Sequence, residues 1–285
     1  MKIRINPVLE KEAKIKMRGW KAPALLTAYL VLLGGGAILF FVLNNLSRYL
    51  AGFDPRTALD LYTLLAMFQL GLLLFITPAI TAPSISGERE RQTLDLLLCT
   101  RLSSWSIIIG KLTASLSHII LLIISSIPIF SIIFLYGGLS PVDVLMIFLF
   151  QIITAVFLGS VGIFFSSMFK KTTVATIMTY TFVLFITIAT LIGFAFYGSF
   201  THALFGRAPG TWEAIVILCP NPFIGLGAIL DKQTGYFSFV RSLFNMSGGG
   251  FIANLPWIIN IAFSIVMSAI FLWLSALIIR PVKER

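Results

Sequence analysis

Residues 112–142 read LTASLSHIILLIISSIPIFSIIFLYGGLSPV, with Lys111 before them and Asp143 after, and no charged side chain between. Soluble domains carry about 25% charged residues, and a helix crosses a bilayer core with about 20 apolar residues. A membrane barrel would alternate apolar and polar positions, and Ile119-Ile120-Leu121-Leu122-Ile123-Ile124 does not. A second uncharged run lies between Lys171 and Arg207. The whole chain, 285 residues, is 58% hydrophobic and 11% charged, with mean hydropathy +0.98. These features define an all-α integral membrane protein.

Working outward, six spans are predicted at 22–43, 61–83, 107–136, 142–168, 172–196 and 255–279, within a single transmembrane domain of residues 1–285. Basic residues stay on the cytoplasmic side of membrane proteins. Sixteen of the 21 fall on one side: those of the first 21 residues, Arg89, Arg91, Arg101, Lys111, Lys170, Lys171, Arg280, Lys283 and Arg285. Both termini are therefore expected in the cytoplasm. With the acids split six and five, the whole +10 charge lies on that face. Topology and contact with anionic lipid explain such a charge; without a soluble basic domain it does not suggest nucleic acid. Cys99 and Cys219 fall on opposite sides and are not expected to pair. The N-terminus does not read as a signal peptide, because a long span follows a charged region reaching Lys21.

Residues 1–21 predict an amphipathic elbow helix. Asn6-Pro7 is a good helix start. Leu9, Ala13, Met17 and Trp20 share one face, and Lys11, Lys14 and Arg18 another. Such a helix lies in the membrane interface. Between the last two spans, residues 197–254 form an extracytoplasmic insertion. Trp212 to Leu230 is apolar apart from Glu213, and Cys219-Pro220-Asn221-Pro222 breaks it into pieces too short to cross. Two short helices are expected, re-entrant or lying on the surface; two further crossings in 211–254 would also keep the parity. Ala155-xxx-Gly159 and Gly162-xxx-Ser166 allow close helix approach, within the chain or between chains.

A dense charge cluster opens residues 84–112, SISGERERQTLDLLLCTRLSSWSIIIGKL. Gly87 can end the preceding segment. Residues 88–98 then predict a short amphipathic helix on the membrane surface: Arg91 and Asp95 pair four apart, and Leu94, Leu97 and Leu98 form an apolar stripe. Ser103 or Ser104 can cap the third span. The bare pattern also suits a solvated interfacial loop.

The wording is more specific. It resembles the segment after the second span in type-2 ATP-binding-cassette exporter permeases. That pattern runs through an acidic-basic-acidic cluster, Gly-Thr-Leu-Glu, a leucine run, Thr-Pro-Leu-Ser and Gly-Lys. Glu88-Arg89-Glu90, Thr93-Leu94-Asp95, Leu96-Leu97-Leu98, Thr100, Leu102-Ser103 and Gly110-Lys111 match it. Gln92 stands for the usual Gly and Arg101 for the usual Pro. The order of parts agrees as well: elbow helix, six spans, and an outer insertion before the last.

The resemblance implies a permease subunit of a bacterial or archaeal cytoplasmic membrane. It would work with a second permease chain, identical or different, and two cytoplasmic ATPase subunits. It implies a coupling helix in the 84–106 region. There Glu88, Arg89, Glu90, Arg91, Thr93 and Asp95 would meet the ATPase through polar contacts, and Leu94, Leu97 and Leu98 would pack. Pro220, Asn221, Pro222 and Phe223 would belong to an outer gate. No G-x-x-x-x-G-K-[ST] occurs, so ATP and Mg are expected on the partner ATPase, with no cofactor or metal on this chain. Competing functions are an intramembrane enzyme and an ATP-independent carrier or channel. His118, Gln69, Gln151 and Asn260 read as packed polar residues without a catalytic pattern. No ionisable residue is expected near mid-depth, where carriers place theirs.

Overall fold

In a computed structural model, which describes residues 20–46, 55–94, 103–134, 139–235 and 255–279, six helical columns are long and apolar enough to cross a membrane. They are Ala22–Leu43, Thr57–Glu90, Ser104–Ile133, Pro141–Met168, Thr172–Phe205 and Leu255–Ile278. Each predicted span overlies one of them. Of the elbow, only Trp20 is described, and it is exposed; Leu9, Lys11, Lys14, Met17 and Arg18 lie outside the described residues. So do Asp95, Leu97 and Leu98.

The described residues form eleven α-helices: α1 (Lys21–Leu46), α2 (Pro55–Thr81), α3 (Pro83–Glu90), α4 (Ser104–Ser125), α5 (Ile127–Phe134), α6 (Pro141–Met168), α7 (Thr172–Leu184), α8 (Thr190–Phe205), α9 (Thr211–Leu218), α10 (Pro222–Thr234) and α11 (Leu255–Ile278), of which all but α9 and α10 build the columns. Pro128 has no N–H and crowds the preceding turn, which separates α5 from α4 at Ser126. A π-turn, Phe185–Ala189, joins α7 to α8. The fifth column then continues to Phe205 rather than ending at 196, and left-handed Gly206 (φ 62°) stops it. Ser140 and Asp143 make a capping box on α6. Ser103, not Ser104, caps α4 through Ser106 N–H.

α6 stands at the centre. Some 67% of its apolar window is buried, against 11% for α1, and it packs against α2, α4, α7 and above all α11. Its small residues serve these contacts. A Cβ on Gly162 would strike the Thr81 side chain, and one on Gly159 would meet Leu112 at 3.1 Å. The small-xxx-small pairs are thus internal packing positions. Aromatic rings fill the space between α6, α7 and α11, with Phe182 edge-on to Phe271 and Phe165.

Candidate functional site: a charged corner and a re-entrant hairpin

The basic end of the bundle gathers α3, the starts of α4 and α7, and the turn between α6 and α7. Only Ala82 separates α3 from α2, and its N–H still donates to Pro78 O at 2.9 Å. The helix runs through Gly87 to Glu90, so Gly87 does not end the second column. The charge cluster sits at that column's tip and not at the start of a separate surface helix. The reason is packing. Ser166 of α6 accepts hydrogen bonds from Ile85 and Ser86 N–H, both at 2.9 Å. These satisfy donors that the poor cap residue Ala82 leaves free.

α3 ends in a Schellman turn. Gln92 N–H donates to Arg89 O, and Thr93 N–H to Glu88 O at 2.9 Å. That turn needs a left-handed residue, and Gln92 has φ 56°. The resembling permeases carry Gly at this point, and the geometry gives the reason. A non-glycine residue pays about 1–2 kcal/mol for this conformation. Gln92→Gly should therefore raise stability by about 1 kcal/mol, and the β-branched Gln92→Val should lower it. Thermal unfolding in detergent reads both; no change with Gly would refute the strain.

The two glutamates bond to neighbouring columns, Glu88 in the interior and Glu90 at an exposed position. Glu88 pairs with Lys111 at 2.7 Å, and Lys111 also donates to Ser84 O at 2.9 Å. Lys111 is fully buried, about 10 Å along α4. A buried ammonium is stable there only when paired. Glu90 accepts from Thr172 N–H at 2.8 Å and from its hydroxyl at 3.0 Å. It caps α7, whose own cap residue, Lys171, makes no side-chain bond. The pair of carboxylates thereby fastens the second column to the third and the fifth. Arg91 and Thr93 are exposed, Arg89 is half-buried, and Leu94 is buried.

At the opposite end, the chain leaves α8 and dives back. Glu213 grips Arg207 through both guanidinium nitrogens, at 2.8 and 3.2 Å, and accepts from Gly210 N–H. The Arg207 hydrogen bonds, then the Gly210 one, hold its carboxyl down to about 2. A depressed carboxylate stabilises above its ordinary value of 4.5 and loses that contribution as pH falls toward 2; at neutral pH the clasp is fully formed. α9 and α10 follow, joined at Cys219-Pro220-Asn221. Asn221 caps α10 by accepting from Phe223 N–H at 3.0 Å. Its Nδ2 donates to Thr187 O at 2.8 Å and Thr190 Oγ1 at 3.0 Å, at the π-turn. Asn260 of α11 donates to Cys219 O and Asn221 O.

The hairpin tip is deep. Thr187 lies about 22 Å along the fifth column from Thr172, near its middle. Pro222 shares a small cleft with Leu74, Phe157 and Leu158, in the interior lengths of α2 and α6. The tip enters the bundle rather than lying across its end, the packing that the re-entrant arrangement calls for, and neither α9 nor α10 is long enough to cross by itself; residues 236–254 lie outside the described residues. Broken backbone at such depth survives only where protein satisfies it, and Asn221 and Asn260 do so. α10 is buried almost throughout, and Gln233 near its end links Tyr62 Oη to Asp143 O. Pro220, Asn221, Pro222 and Phe223 thus come together at the tip.

Neither glutamate's internal partner nor the Asn260 contact is evident from sequence reasoning. A lysine inside an apolar run, and a helix start lacking a capping side chain, were the available signals. Among the described residues, no three His, Cys, Asp or Glu side chains converge as a metal site. His118 sits half-buried on α4. An apolar cleft of about 250 Å³ lies between α1, α2 and α5, lined by Ala37, Phe41, Ala58, Leu61 and Ile133 among others.

No curated protein matches the chain. A family model described as ABC-2 family transporter protein matches residues 7–210, a stretch that takes in the charged corner and five columns and stops where α9 begins. With that match across more than half its length, and with the multi-pass helical architecture to go with it, the chain belongs to the ABC-2 family of transporter proteins.

Proposed function

We propose that this chain is the permease subunit of an exporter driven by ATP hydrolysis on two separate ATPase chains, which carry the ATP and Mg. A second permease chain, identical or different, completes the transporter. The basic end and both termini face the cytoplasm, and the hairpin closes the pathway on the outer side. The observation that carries this reading is the fastening of α3. Its tip is tied to the third column by Glu88–Lys111, to the fourth by Ser166, and to the fifth by Glu90–Thr172. Force applied there reaches four columns as one rigid-body displacement. The π-turn that receives the hairpin lies on one of them.

In this arrangement Glu88 and Glu90 set the position of the coupling end, and Arg89, Arg91 and Thr93 are the groups left to face the ATPase, with Asp95, Leu97 and Leu98 following. The Arg89→Ala/Arg91→Ala protein should insert and fold normally. Reconstituted with its ATPase in proteoliposomes, it should stimulate ATP hydrolysis at least fivefold less than the parent. Unchanged stimulation would remove the coupling role. Failure of the parent chain to bind any ABC-type ATPase in a pull-down would remove the whole reading.

A further inference from the structure

We propose that the turn between α6 and α7, with Arg89 and Arg91 beside it, binds the phosphate headgroup of an anionic membrane lipid. Three residues, Phe169, Lys170 and Lys171, make up the whole turn. The Glu90–Thr172 hydrogen bond at 2.8 Å pins the tip of α3 to it. Arg89 and Arg91 flank Glu90, and Lys170 and Lys171 immediately precede Thr172. Four cations therefore stand within two residues of a single contact. Both lysines and Arg91 are exposed, and none of the four forms an ion pair among the described residues.

The nearby acids do not cancel this charge. Glu88 is neutralised by buried Lys111. Among the described residues Glu90 is the remaining carboxylate, and its oxygens already accept from Thr172. Four positive charges there face one negative among the described residues. Arginine and lysine donors in such a cluster suit the oxygens of a phosphodiester.

The surroundings select a lipid over a soluble anion. A three-residue turn cannot lift its lysines away from the helix ends. Met168 on one side and Val174 and Ile177 on the other are exposed apolar residues, at 53%, 37% and 57%, which suit contact with the upper acyl chain. Lysine stems lie along such a surface with the ammonium at headgroup level. Trp20 and Trp105, both exposed at the same end, mark that level, where tryptophan collects in membrane proteins. This site needs only that the columns span a membrane; it shares Arg89 and Arg91 with the proposed coupling end, and its test involves no ATPase.

The test uses the purified full chain in detergent, without any ATPase. Native mass spectrometry measures retention of phosphatidylglycerol against phosphatidylcholine of identical acyl chains. The parent should keep phosphatidylglycerol at a lipid concentration at least tenfold lower. K170Q/K171Q should bring the preference below twofold, and adding R89Q/R91Q should abolish it. K170R/K171R, which preserves the charge, should keep it and verify that the turn still folds. K232Q, at the opposite end, should not alter it. A tenfold preference surviving in K170Q/K171Q, or no preference in the parent, overturns the proposal. So does inorganic phosphate raising the melting temperature as much as phosphatidylglycerol, which would make this a site for soluble anions.

Discussion

Lys111→Met is expected to destabilise the protein by about 3–5 kcal/mol, the usual cost of removing one partner from a buried ion pair. Its ammonium is the only partner of the Glu88 carboxylate among the described residues; the second oxygen, Oε2, is buried with no hydrogen bond at all. Methionine matches the lysine stem in volume, so packing changes little and the loss reports charge. Glu88→Gln should be costly too, since it removes the carboxylate charge that faces a buried ammonium. Combining Glu88→Leu with Lys111→Met removes both charges and should recover most of the stability, because a buried ion pair is often no better than well-packed apolar residues. Thermal unfolding of Glu88→Leu, Lys111→Met and the double gives the coupling energy. Additive effects would mean that the two side chains act independently, contrary to the 2.7 Å contact.

Gly225→Val should force the hairpin out of the bundle. A Cβ at this position would lie 2.7 Å from Asn260 Cγ and Oδ1 and 2.9 Å from Phe150 Cζ. Neither neighbour can yield easily. Asn260 holds the carbonyls of Cys219 and Asn221, and Phe150 is core. Overpacking of this kind costs about 1–3 kcal/mol, and each hydrogen bond lost at the tip adds about 1 kcal/mol. Cys219 is a free, buried thiol at the tip and so a convenient reporter. In a Cys99→Ser background it should resist a membrane-permeant maleimide in the parent and react in Gly225→Val, with transport lost. A thiol that stays protected in the variant would show that the tip tolerates the extra methyl groups.

The six columns were readable because a bilayer demands long apolar runs, and residues 112–142 satisfy that demand without reference to any neighbour. The break at Cys219-Pro220-Asn221-Pro222 was readable for the same local reason. Whether the broken pieces lay on the surface or entered the bundle was not, because that depends on Asn260 some forty residues away and on the π-turn at Thr187. The cluster at 88–91 announced charge but not direction. Glutamates next to arginines read as a solvated face, yet their carboxylates reach positions 111 and 172. A lysine amid Ile107, Ile108, Ile109 and Leu112 needs a counter-ion, and that signal was available. The Gly110-Lys111 pair also fits a Gly-Lys signature, which masks it. Gly87 points the other way: glycine often ends a helix, but here α3 continues through it to Glu90.

The unequal embrace of the columns has a bearing on how the chain is made. α1 owes little to its neighbours, so it can settle in the lipid as soon as it leaves the ribosome. α6 is the reverse: its Gln151, Ser160 and Ser166 need their surroundings, and its broadest partner, α11, is synthesised after the whole hairpin. The mast of the structure must therefore wait, half-dressed, until the last crossing arrives. Ribosomes stalled before Leu255 should leave nascent chains that quality-control proteases clear quickly.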